Sequence, residues 1–109
     1  LDAPQITFPI PRDTVGSNRE TTVQWTWTGT LGPNQAFQMR FWHATDPAPM
    51  GIAPPTTDYQ QVVNFGLTDA YRVHGENTYY LDVIVVQIEP YKILSRSAPI
   101  QVTTDPNKR

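Results

Sequence analysis

Apolar and polar side chains alternate along several short stretches of this chain, and a period of two puts alternate residues on one face of a β-sheet. The clearest stretch is residues 20–28, where Val23, Trp25 and Trp27 share one face and Thr22, Gln24, Thr26 and Thr28 the other. That mixture of β-branched and aromatic residues predicts a half-buried strand. Turn residues fill positions 28–34, after which Phe37, Met39 and Phe41 alternate with Gln38, Arg40 and Trp42, predicting a second strand of the same kind. The longest apolar run covers residues 78–87. Pointing Tyr79, Leu81, Val83 and Val85 inward leaves Asp82 and Gln87 where each can reach water or a partner, which avoids burying an unpaired carboxylate. The same register turns Ile84 and Val86 outward, where a neighbouring loop or domain would cover them.

The remaining stretches give weaker patterns. Residues 5–9 hold Ile6 and Phe8 on one face, and Pro4, Pro9 and Pro11 around them lack N–H donors, which predicts an edge strand. Residues 59–67 place Tyr59, Gln61, Val63, Phe65 and Leu67 on one side, but Gln61 interrupts that face and Val62 lies on the other, so the register stays open. Residues 45–58 contain Pro47, Pro49, Pro54 and Pro55 and read as loop, with room for a short edge strand at 50–53. A last strand is expected at 97–104, where Ala98, Ile100 and Val102 oppose Pro99 and Gln101. The 11 Pro and 6 Gly break the chain into short runs, and no stretch sustains a helical period. About seven short strands without a crossover helix predict an all-β fold, a seven-stranded antiparallel β-sandwich. Its core would be built from Val23, Trp25, Phe37, Met39, Phe41, Tyr79, Leu81, Val83, Val85, Ile100 and Val102. A chain of 109 residues suits a single domain over 1–109, ordered from about 4 to 104 and ending in a polar linker at 105–109.

Several of these segments resemble, in order, the strands of fibronectin type III domains. Thr22-Val23-Gln24-Trp25 is similar to the second strand of that family, whose Trp fills the core, and Phe37-Gln38-Met39-Arg40-Phe41 to the third. Leu67 followed by Thr78-Tyr79-Tyr80-Leu81-Asp82-Val83 is similar to the family's Leu and Tyr-x-Val-x-Val, and residues 95–104 to its last strand. The resemblance implies an immunoglobulin-like topology in which the hydroxyl of Tyr79 bonds to backbone at the corner between sheets. Val73-His74-Gly75-Glu76-Asn77 stands where the family has Pro-Gly, and residues 44–58 are longer and richer in Pro than usual. Trp25-Thr26-Trp27 together with His74-Gly75 before Tyr79-Tyr80 also looks like modules repeated in bacterial envelope proteins. That likeness implies an extracellular or cell-envelope address.

Charge and composition narrow the partners. A formal charge of −2 with both signs scattered gives no basic stripe for nucleic acid and no polybasic segment for lipid. No apolar run approaches the roughly 20 residues that cross a bilayer, and Leu1-Asp2-Ala3-Pro4 lacks the features of a signal peptide, so membrane insertion is not expected and the chain reads as a module excised from a longer protein. The absence of Cys removes thiolate chemistry and Cys-ligated zinc. His43 and His74 lie on separate segments without ligand spacing, Ser17, Ser95 and Ser97 have no nucleophile elbow, and Asp46, Asp58 and Asp69 lack the density of a calcium loop. Neither a catalytic site nor a cofactor is expected.

One surface stands out. Alternation puts Trp42 beside Arg40 and Gln38 on the face opposite Phe37, Met39 and Phe41, where an exposed ring next to a guanidinium suits stacking on sugar or protein. Tyr59, Tyr71, Tyr80 and Tyr91 are candidates to extend it, Tyr80 foremost. The plainer alternative is that Arg40 or the Pro-rich loop covers the ring. The leading functional expectation is a non-catalytic structural, spacer or adhesion module working with neighbouring domains of the same chain. The alternative is a carbohydrate- or protein-binding module using the aromatic side chains around Trp42.

Overall fold

A computed structural model describes residues 2–108; Leu1 and Arg109, the two ends of the expected domain, lie outside them. Nine strands form two sheets: β1 (Gln5–Phe8), β2 (Asp13–Gly16), β3 (Thr21–Thr26), β4 (Gln35–His43), β5 (Gly51–Ile52), β6 (Gln60–Val63), β7 (Thr78–Gln87), β8 (Lys92–Arg96) and β9 (Ile100–Asp105). The smaller sheet has the order β1-β3-β6, and the larger runs β2-β9-β7-β4-β5, with β8 also on β7. The result is a mostly β, two-layered sandwich. It departs from seven antiparallel strands in its count and in one parallel pair, β2 with β9.

Both departures have local causes. The first strand cannot continue through Pro9 and Pro11, so the chain leaves the smaller sheet after Phe8 and joins the larger one. A tight turn makes the crossing: Asp13 N–H bonds to the Ile10 carbonyl at 3.2 Å, with Pro11 and then Arg12 in the middle, and Arg12 sits at φ 67°. At the other end, a strand that was not expected, β8, precedes the expected last one and pairs with the second half of β7; Ser97-Ala98-Pro99 then breaks the path, so that the expected strand begins only at Ile100, as β9, and pairs with the first half of β7. Ser97 bridges the break, its Oγ accepting from the Val83 N–H at 2.9 Å and its own N–H donating to the Val83 carbonyl at 2.8 Å.

The interior lies between the sheets. Val23, Trp25, Phe37, Met39, Phe41, Tyr79, Leu81, Val83, Val85 and Val102 are all buried in one cluster, joined by Val15, Val63, Phe65 and Ala70, while Ile100 is half-buried against it. Each large aliphatic side chain so buried contributes about 1.5–3 kcal/mol relative to exposure. Trp25 is only 2% exposed, packed edge-on to Phe37 with centroids 5.6 Å apart. The outward pair Ile84 and Val86 is also fully buried, in a second cluster with Ala36 and the partly buried Ile93 of β8.

Between β6 and β7 the chain does not continue as strand. Phe65–Leu67 is a 3-10 turn and Asp69–His74 a short helix, α1. Thr68 caps α1 by accepting from the Tyr71 N–H, Asp69 and the basic Arg72 and His74 sit at the ends that suit the helix dipole, and Gly75 closes it at φ 68°. Leu67, aligned with Val63 and Phe65 in the open register of that stretch, is 76% exposed, while Phe65 and Ala70 are buried in the core. Gly66 is required by close approach: a Cβ there would lie 1.8 Å from the Ser17 carbonyl oxygen. The tail expected from 105 onward starts one residue later, because Asp105 still pairs with Gly16.

Candidate functional site

The four residues expected to form a surface do converge on the outer face of the larger sheet. β4 and β7 pair antiparallel so that Trp42 faces Tyr80, Arg40 faces Asp82, Gln38 faces Ile84 and Ala36 faces Val86. Trp42 and Tyr80 are half-buried, their rings 6.2 Å apart and tilted by 36°. The Arg40 guanidinium lies 5.8 Å from the Trp42 ring centre, in cation–π range. It also grips Asp82 with two bonds, Nε to Oδ1 at 2.9 Å and Nη2 to Oδ2 at 2.6 Å. Those bonds hold the Arg40 pKa above its ordinary value against the opposing effect of burial, with the charge of Asp82 and then Tyr91 adding to it.

Exposure on this face differs from the simple alternating pattern. Gln38 is buried, because Tyr91 donates its hydroxyl to Gln38 Oε1 at 2.6 Å and Gln38 Nε2 donates to the Ala53 carbonyl at 3.2 Å. What faces solvent is the half-buried Trp42 and Tyr80 pair, the exposed Tyr91 whose hydroxyl reaches Gln38 and, beside Arg40 on β5, the exposed Ile52. Arg40 has its donors turned to Asp82 and one face on Trp42, so it orients the indole rather than reaching for a ligand. The arrangement is chemically an aromatic and aliphatic surface around a neutralised ion pair.

Two further polar clusters were not visible in the spacing of the sequence. His43 ends β4 facing inward and stacks on His74 at the end of α1, centroids 4.2 Å apart and planes at 20°. His43 Nδ1 accepts from the Asp46 and Thr45 N–H groups at 3.1 and 3.3 Å, while His74 Nε2 meets the Ala48 carbonyl at 3.0 Å. The pair thus fastens the Pro-rich loop to the sandwich. Only the inward position of His43 in the alternation of β4 hinted at it. Among the described residues no three His, Cys, Asp or Glu side chains gather as a metal set.

The second cluster centres on Glu76. Ser17 donates its hydroxyl to both carboxylate oxygens at 2.9 and 2.7 Å, and Tyr71 donates to Oε2 at 2.6 Å. Burial pushes the Glu76 carboxyl upward, but the hydroxyls of Tyr71, Ser17 and Thr104 together leave it below its ordinary value. Donating that bond to Glu76 raises the Tyr71 pKa in turn. Next to it, the hydroxyl of Tyr79 donates to the Gly75 carbonyl, and burial pushes that phenol up to about 12. A carboxylate held ionised by the hydroxyls of Ser17 and Tyr71 ties the residue after β2 to α1 and is not a poised proton acceptor.

Set against known protein families, characterised proteins and solved structures, the chain matches none of them.

Proposed function

We propose that this chain is a non-catalytic, extracellular or envelope module of the fibronectin type III or immunoglobulin-like kind, spacing or joining neighbouring domains. Support for the family comes from the buried Trp25, from the Tyr79 bond to the Gly75 carbonyl at the corner between sheets, and from strands that switch sheets between β1 and β2. Support for the role comes from one geometric observation. Asp2 is tied beside Trp27, Thr28 and Ser95, just past the end of β3, while Lys108 lies by Gly16 and Arg19, just ahead of its start, so the two ends of the described chain lie at opposite ends of β3. A load passing along the chain therefore crosses the sandwich from one end of β3 to the other. Single-molecule extension of a polyprotein containing it tests the role. One cooperative unfolding event with a gain of roughly 350 Å is expected, at about 3.6 Å per residue less the folded length; extension without a force peak contradicts it.

A second reading is favoured by the juxtaposition of Trp42 and Tyr80: a protein- or carbohydrate-binding face on the larger sheet. Tryptophan fluorescence during titration with soluble oligosaccharides tests it. A shift abolished by Trp42→Ala supports this reading, and an unchanged spectrum counts against it.

A further inference from the structure

The chain has two histidines, and the fold stacks one on the other with centroids 4.2 Å apart. Their hydrogen bonds fix where each ring carries its proton. A backbone N–H can only donate, so His43 Nδ1, which takes the Asp46 and Thr45 N–H bonds at 3.1 and 3.3 Å, is bare. The Thr45 hydroxyl, also 3.3 Å from that nitrogen, can then only be a donor to it. His43 in this loop conformation is therefore neutral, with its proton on Nε2. A carbonyl can only accept, so His74 Nε2, 3.0 Å from the Ala48 oxygen, is a protonated nitrogen of its ring. His74 keeps that bond whether or not a second proton sits on Nδ1. A proton on His43 Nδ1, by contrast, would point at donors and remove both backbone bonds.

The groups that face the pair give His43 no counter-charge. His43 is only 8% exposed, and among the described residues no carboxylate forms an ion pair with it. From β7, Tyr79 packs edge-on at 5.6 Å; its hydroxyl is committed to the Gly75 carbonyl and its phenol is pushed up to about 12, so it stays neutral. From α1 the facing group is His74, whose charge would oppose one on His43. From the loop, Asp46 Oδ2 lies 3.7 Å from His74 Nε2, but Asp46 is exposed and water weakens its pull. Asp69 and Arg72 of α1 pair with each other in solvent, and Glu76 is bound by Ser17 and Tyr71.

We infer that the stacked histidines are an acid-sensitive latch: the loop between β4 and β5 is held down while His43 is neutral and is released when His43 takes a proton. The closed loop excludes a proton that the open loop admits, so falling pH favours the open form. The release reaches beyond the loop itself. Residues 44–50 lead directly into β5, where Gly51 and Ile52 pair with Phe41 and Arg40 at the edge of the larger sheet. Acid therefore loosens the rim of the face that carries Trp42.

The experiment is an NMR titration of the whole chain from about pH 8 to about pH 5, which spans the ordinary imidazole range and stays above that of carboxylates. At the alkaline end, long-range proton–nitrogen spectra should show His43 protonated on Nε2 alone. Toward the acid end, amide protection at Thr45 and Asp46, corrected for intrinsic exchange, should fall roughly tenfold, the worth of one hydrogen bond. The fall should share its midpoint with the His43 ring, and the Ile52 amide should shift with it. His43→Asn sets an amide oxygen in the place of Nδ1 and does not titrate, so it should keep the protection across the whole range. A proton on His43 Nδ1 at the alkaline end, protection of Thr45 and Asp46 that does not change with pH in the parent chain, or a loss that persists undiminished in His43→Asn would each overturn the inference.

Discussion

At the scale of single residues, the Arg40 and Asp82 pair shows how a charge enters a largely apolar strand. Asp82 is nearly inaccessible, flanked in β7 by Leu81 and Val83, and its two bonds to Arg40 replace the water it lost. Breaking such a pair from one side leaves an uncompensated charge, while replacing both partners with apolar groups is often neutral. Asp82→Ala should cost about 3 kcal/mol of stability, and the double variant Arg40→Met with Asp82→Leu should recover most of it, as read from urea midpoints. A cost for Asp82→Ala indistinguishable from zero would show that the pair is solvated. Part of this was legible in the sequence, because alternation put Asp82 on the outer face with a need for a partner. Which partner it finds depends on the register between β4 and β7, which neither strand encodes alone.

At the scale of elements, legibility followed length and regularity. β3, β4 and β7 alternate over enough residues to fix their faces, and their inward side chains form the interior. β2 has four residues and ends in Gly16, and its parallel pairing exists only because β9 lies where the chain lands after Pro11, a fact no local pattern carries. α1 spans six residues, too few for a helical period to emerge, and its signals were the cap at Thr68 and the glycine at position 75. The same brevity hid the stacking of His43 on His74, since the helix that carries His74 is what turns it toward β4.

The helix is held to the sandwich through Glu76, and that tie has a pH dependence. A carboxyl lowered by folding contributes its stabilisation in full above its ordinary value and loses it as pH falls through the lowered native one. Glu76→Gln should therefore destabilise the protein at pH 7 and approach the parent as pH falls through the lowered native value, where the parent carboxyl is itself becoming protonated. Urea unfolding at several pH values measures it; a deficit that persists undiminished at low pH would show that the tie does not depend on the charge.

At the scale of the molecule, two sheets enclose one interior around Trp25 and Phe37, and the two ends of the described chain lie at opposite ends of β3. Burial on both faces of the larger sheet, with Ile84 and Val86 covered by β8 rather than left to a neighbour, means the sandwich closes its own second cluster. The most direct check on this placement of the two ends is the distance between spin labels on Ala3→Cys and Asn107→Cys, both exposed positions in a chain without native cysteine. Pulsed electron resonance should give a narrow distribution centred above the 24 Å of the second axis. A distribution centred below that 24 Å would place both labels at one end and contradict the arrangement.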